Sequence, residues 1–161
     1  MNKYWIVLAS LVLGATTLLA SAALTPTSVS AHCQVPCGIY DDEGRVDQLR
    51  EDATTIAKAI NMMSELAAKQ DVQSLNQLAR WVATKEAHAS HIITVVSEYF
   101  LTQKVKPVAA NAEGYHDYLG HLADHHAVMS AAMKTKQQAN EDSVKALRGA
   151  IERLAKHYKS K

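Results

Sequence analysis

Apolar residues recur along this chain at spacings of three and four, with Lys, Glu, Asp and Gln between them. Leu49, Ala53, Ile56, Ile60, Met63 and Ala67 form the first such stripe, after an acidic turn at Asp41, Asp42, Glu43 and Gly44. Asp71 is placed to cap a second helix. Its stripe runs through Leu75, Leu78, Val82, Ala89, Ile92, Val96 and Tyr99, with Lys85 filling one slot. Pro107 breaks the pattern inside a linker of about residues 102–110. A third stripe carries Tyr115, Tyr118, Leu122, Met129 and Met133. The fourth opens near Asn140 and carries Val144, Leu147, Ile151, Leu154 and Tyr158. Each stripe covers one side of a helix and needs a partner surface. No stretch alternates with a period of two for long enough to make a strand. The pattern predicts an all-α fold, an up-down four-helix bundle over residues 41–161 with the first two helices slightly longer. Met62, Met63, Met129 and Met133 fall at core spacing and read as core filler.

The first 31 residues read as targeting sequence rather than fold. Lys3 gives a short positive start, residues 5–23 are apolar or small, and Val29-Ser30-Ala31 suits a signal peptidase or other processing protease. Cleavage after Ala31 would release an exported, periplasmic or extracellular protein with no stable membrane association. Retention of the leader would instead tether it, since the apolar run approaches the length of a bilayer span. The leader takes one of the 17 basic residues and none of the 16 acidic ones. The remaining charges balance, which gives no footprint for nucleic acid.

What the helices leave unexplained is residues 32–40, His-Cys-Gln-Val-Pro-Cys-Gly-Ile-Tyr. They hold the only two cysteines, Cys33 and Cys37, too close together to staple a fold. If the leader is cut after Ala31, His32 becomes the first residue. A terminal amine, an imidazole, the amide of Cys33 and two thiolates then lie within six residues. Amine, amide and thiolates can share a plane, and square-planar nitrogen and sulfur donors favour nickel(II) or copper(II) over tetrahedral zinc. The His32 imidazole can approach along the axis and would stabilise an oxidised nickel. Pro36 fixes the loop that returns Cys37 to the metal, and Gly38 permits the tight turn.

This hook resembles that of the nickel-dependent superoxide dismutases, whose mature chains begin H-C-x-x-P-C-G-x-Y. His32, Cys33, Pro36, Cys37, Gly38 and Tyr40 match every fixed position. Weaker likeness follows at Arg80-Trp81, Lys85-Glu86, residues 97–100 (Ser-Glu-Tyr-Phe) and Lys106-Pro107. The resemblance implies a four-helix bundle with the hook at its N-terminus, one nickel ion per chain and a homohexamer. It implies disproportionation of superoxide to oxygen and hydrogen peroxide by Ni(II)/Ni(III) cycling. It implies that His32 supplies amine and axial imidazole, Cys33 amide and sulfur, and Cys37 the second sulfur. Tyr40 would stand over the open face and limit approach to small anions. The family's glutamate and arginine beside the axial imidazole are best matched here by Asp47 and His88, a shorter bracket.

Two other classes use the same residues. One is a non-catalytic exported carrier of nickel or copper. The other is a structural bundle with a redox-active disulfide between Cys33 and Cys37. The remaining histidines, His121 with His125 and His88 with His91, read as partly exposed helix-face residues or intersubunit contacts. Glu113-x-x-His116 is a lone E-x-x-H, whereas a di-iron bundle needs two with two further glutamates.

Overall fold

The computed structural model describes residues 39–158. The expected leader and hook residues 32–38 lie outside the described residues. The four expected helices are α1 (Asp42–Ala67), α2 (Val72–Thr94), α3 (Tyr115–Gln137) and α4 (Glu141–Ala155). A π-helix (Val95–Lys104) follows α2 directly, and a 3-10 turn (Lys156–Tyr158) follows α4. No strand occurs among the described residues. α1 packs on α2 and α4, and α3 packs on α2 and α4. Chain neighbours are thus spatial neighbours and the ring closes between first and last, which is the up-down bundle.

Side chains start three of the helices. Asp41 Oδ1 accepts from the Gly44 amide at 2.8 Å, Asp71 Oδ1 from Ser74 at 2.9 Å, and Asn140 Oδ1 from Ser143 at 2.9 Å. Gly44 is needed for the first of these: a Cβ there would lie 2.3 Å from Asp41 Oδ2. α3 starts differently, from Gly114 in the left-handed region at φ 85°.

The core is built by Leu49, Ala53 and Ile56 of α1, Ala89, Ile92 and Val96 of α2 and its continuation, Val128 and Ala132 of α3, and Leu147, Ile151 and Leu154 of α4. It departs from the sequence expectation on three helices: on α1 Met62 and Met63 are only part-buried and Ala67 is exposed. On α3 the buried face is His125, Val128, Ala132 and Thr135, while Met133 is exposed. That face is built of small and polar residues, so the larger apolar residues of α3 do not mark it. On α2 the stripe outruns the core: Leu75 is 52% and Val82 38% exposed. The reason is a mismatch of helix lengths. Lys85 Nζ donates to the carbonyls of Thr135 and Lys136 at 2.8 and 2.9 Å, so α3 ends level with Lys85. α4 begins beside Ala57, Ile60 and Asn61 of α1. Beyond these points α1 and α2 continue as a bare hairpin.

The π-helix has no counterpart in the apolar pattern. Its closing bond runs from the Val105 amide to the Phe100 carbonyl, five residues back, at 2.9 Å. Residues five apart point about 140° apart on an α-helix. The wider π winding brings Tyr99 and Lys104 to one side, and both reach Asp42 at the start of α1.

Candidate metal centre

Tyr40 is the one expected site residue of the hook among the described residues, and it is seated just before α1. Its ring meets Tyr99 edge-on with centroids 6.0 Å apart, and Lys104 Nζ lies 4.3 Å from its centre. Asp42 ties these groups together. Its Oδ1 accepts from the Tyr99 hydroxyl at 2.8 Å, and its Oδ2 pairs with Lys104 Nζ at 2.9 Å. The Arg45 guanidinium lies 5.1 Å from the centre of the Tyr99 ring. Burial, then the neighbouring Asp42 carboxylate, pushes the ionisation of Tyr99 well above that of a free phenol. Tyr99 is thus a neutral, fixed support, and α1 is entered from a clamped Tyr40.

The two residues expected beside the axial imidazole have other partners. Asp47 pairs with Arg50 at 2.8 Å, and Arg50 makes a two-pronged bond to Glu152 of α4. These groups are largely exposed, so the network contributes little stability. His88 bonds through Nδ1 to Asp52 Oδ1 at 2.6 Å, and His91 bonds through Nδ1 to Asp52 Oδ2 at 2.7 Å. Asp52 is 4% exposed, while both imidazoles are half-buried. A carboxylate only accepts, so each Nδ1 donates to it and each Nε2 remains for another partner. His88 and His91 line an open cleft of about 380 Å³ between α1 and α2 with Gln48, Glu51 and Thr55. Asp47 lines the adjoining depression, which shares Gln48 and Glu51. The structure therefore places Asp47 and His88 in neighbouring depressions without bonding them to each other. Little in the sequence marks Asp52. Its signal was only a polar residue beside the Ala53 stripe position.

A second histidine cluster ties the chain's last turn to α3. Fully buried His125 donates from Nδ1 to the His121 carbonyl at 2.6 Å and accepts at Nε2 from the Tyr158 hydroxyl at 2.7 Å. This corrects the expectation of a partly exposed His125. Burial is the main cause holding His121 and His125 below the ordinary imidazole range. The His157 ring lies tilted by 40° against that of His121 with centroids 3.9 Å apart, and it pairs with Asp124 at 2.8 Å. His116 is exposed near the start of α3. Among the described residues no three His, Cys, Asp or Glu side chains converge as metal ligands. Nor is any described helix long and apolar enough to cross a membrane.

A family model described as nickel-containing superoxide dismutase matches residues 27–161, a range that includes the whole hook and bundle. Searches of curated proteins and of solved structures return no match.

Proposed function

From the premise that this chain belongs to the nickel-containing superoxide dismutase family, and so is an oxidoreductase, we propose that it disproportionates superoxide at an N-terminal hook freed by cleavage after Ala31. The observation that carries this reading is the run His32, Cys33, Pro36, Cys37, Gly38 and Tyr40 inside the matched range.

The donor chemistry of the hook fits nickel. His32 would give its amine and imidazole, Cys33 its amide and thiolate, and Cys37 its thiolate, holding one ion per chain. Bound nickel would supply a one-electron Ni(II)/Ni(III) couple able to accept an electron from one superoxide and return it to a second. The described bundle offers no competing three-ligand cluster.

The protein's own residues would do the rest. Tyr40, clamped by Tyr99 and Lys104, would narrow the approach to a small anion. Lys104 and Arg45 add positive charge near that approach, tempered by Asp42. His88, oriented by Asp52, and Asp47 in the neighbouring depression are the residues proposed to set the polarity around the His32 imidazole. Export before assembly into a hexamer completes the reading.

The test is superoxide turnover with metal analysis on two nickel-loaded proteins, one beginning at His32 and one retaining Ala31. Activity confined to the first is the expected result. Nickel bound by both without turnover would make the protein a carrier. Absence of nickel from both would leave the bundle with an unexplained cysteine pair.

A further inference from the structure

The 3-10 turn after α4 is joined to the Tyr40 clamp by an unbroken run of rings. Tyr158 packs on Phe100 with centroids 4.4 Å apart. Phe100 meets Tyr99 edge-on at 5.0 Å, and Tyr99 meets Tyr40 edge-on at 6.0 Å. Phe100 and Tyr99 are buried, so neither ring can move without its neighbours. Both belong to the π-helix, whose Tyr99 and Lys104 hold Asp42 at the start of α1. The π-helix also packs on α3, and the 3-10 turn packs on α4 and α1. At the other end of the run stand three imidazoles. His125 bonds Tyr158, and His121 and His157 face each other beside it.

We propose that Tyr158 is a positioning residue for Tyr40, acting through Phe100 and Tyr99, and that protons taken up by His121, His125 and His157 release it. The Tyr158 hydroxyl donates to Nε2 of His125, whose Nδ1 donates to the His121 carbonyl. Both nitrogens of a fully buried ring are thus committed in the neutral form. A proton on Nε2 would set a donor against the hydroxyl and a charge where no water reaches. Protons on His121 and His157 would lie on rings only 3.9 Å apart and repel. Asp124 pairs with His157 Nε2 at 2.8 Å but also faces Arg153 at 3.6 Å, so it offsets only one of these charges. The remaining groups that face the cluster are Asp117, one turn before His121, and Asp42 and Tyr99 on the far side of Tyr158. Undocking the turn parts His157 from His121 and opens His125 to water. The docked turn therefore binds fewer protons than the undocked one. As pH falls through the imidazole range the balance moves toward undocking, by up to about tenfold per pH unit for each proton withheld. Burial holds His121 and His125 below the ordinary imidazole value, which agrees with that sign. Without Tyr158, the π-helix loses one wall of its packing, and Tyr99 its fixed seat beside Asp42 and Tyr40.

The device rests on the proposed function only for what Tyr40 guards, the approach of a small anion, which acid would leave less narrowed. The test is tyrosine-ring NMR and hydrogen exchange on metal-free protein between pH 7.5 and 5.5, beside Tyr158→Ala, Tyr158→Phe and His121→Gln. Metal-free protein separates this outcome from failure of the nickel reading. In the parent, the Tyr40 and Tyr99 ring signals should shift on acidification. Protection at residues 95–104, corrected for intrinsic exchange, should fall at least about tenfold. Tyr158→Ala should show the acid-form Tyr40 signal already at pH 7.5. Tyr158→Phe keeps the contact with Phe100 and should restore the neutral signal at that pH. His121→Gln should keep the neutral signal and move the midpoint to lower pH. The proposal is overturned if the Tyr40 signal and the protection of residues 95–104 ignore Tyr158→Ala, or if His121→Gln leaves the pH response unchanged. Loss of protection over all four helices together would also overturn it, since acid would then unfold the bundle rather than release one turn.

Discussion

Asp52 holds His88 by a 2.6 Å bond from within the α1–α2 interface, and its second oxygen holds His91 at 2.7 Å. One buried carboxylate thereby sets the orientation of two imidazoles whose Nε2 atoms remain for other partners. Asp47, five residues earlier, faces Arg50 instead. Asp52 is thus the residue that aims His88.

Replacing Asp52 with Ala should therefore cost about 2 kcal/mol, because two part-buried N–H donors lose their acceptor. Urea unfolding of the single variants and of Asp52→Ala combined with His88→Ala would measure it. A coupling energy near zero in that cycle would show that the bond contributes nothing.

Cys33→Ser and Cys37→Ser should each lose nickel and turnover while keeping the helical spectrum and thermal midpoint. The core stripes close on one another without the hook. Circular dichroism with metal analysis checks both halves. Global unfolding of both variants would show that the hook holds the bundle together.

Lys85 is a buried cation that caps α3 by donating to its last carbonyls. Lys85→Met keeps the stem but removes the donor. It should destabilise the protein by about 1 kcal/mol and fray the end of α3. Hydrogen exchange faster than the parent at residues 134–138, with little change elsewhere, is the expected readout.

Acid should loosen the chain's last turn. His121 and His125 take up protons in the folded state only below the ordinary imidazole value of 6.5. The unfolded chain therefore binds more protons as pH falls through that value, and stability falls with it toward the depressed folded values. The groups around them are His157, Asp124, Asp117 and Tyr158. Denaturant midpoints between pH 7.5 and 5 should drop more steeply in the parent than in His121→Gln. Equal slopes would remove these histidines from the account.

Much of this protein is legible in its residues taken in order. Nine consecutive residues carry the whole hook pattern, because its fixed positions lie next to one another in the chain and need no distant element to be recognised. The four stripes predict four helices, and Asp71 and Asn140 mark two of their starts, because capping and amphipathicity act within a few residues. Tertiary structure alone decided the rest. Periodicity says which face of α2 is apolar but not how far α3 extends along it, so Leu75 and Val82 looked like core. The winding that turns Tyr99 and Lys104 onto Asp42 depends on packing at the end of the bundle. The bonds from Asp52 to His88 and from Tyr158 to His125 link residues more than thirty apart. They are fixed by the axial shift of one helix against another, a quantity that no local pattern encodes.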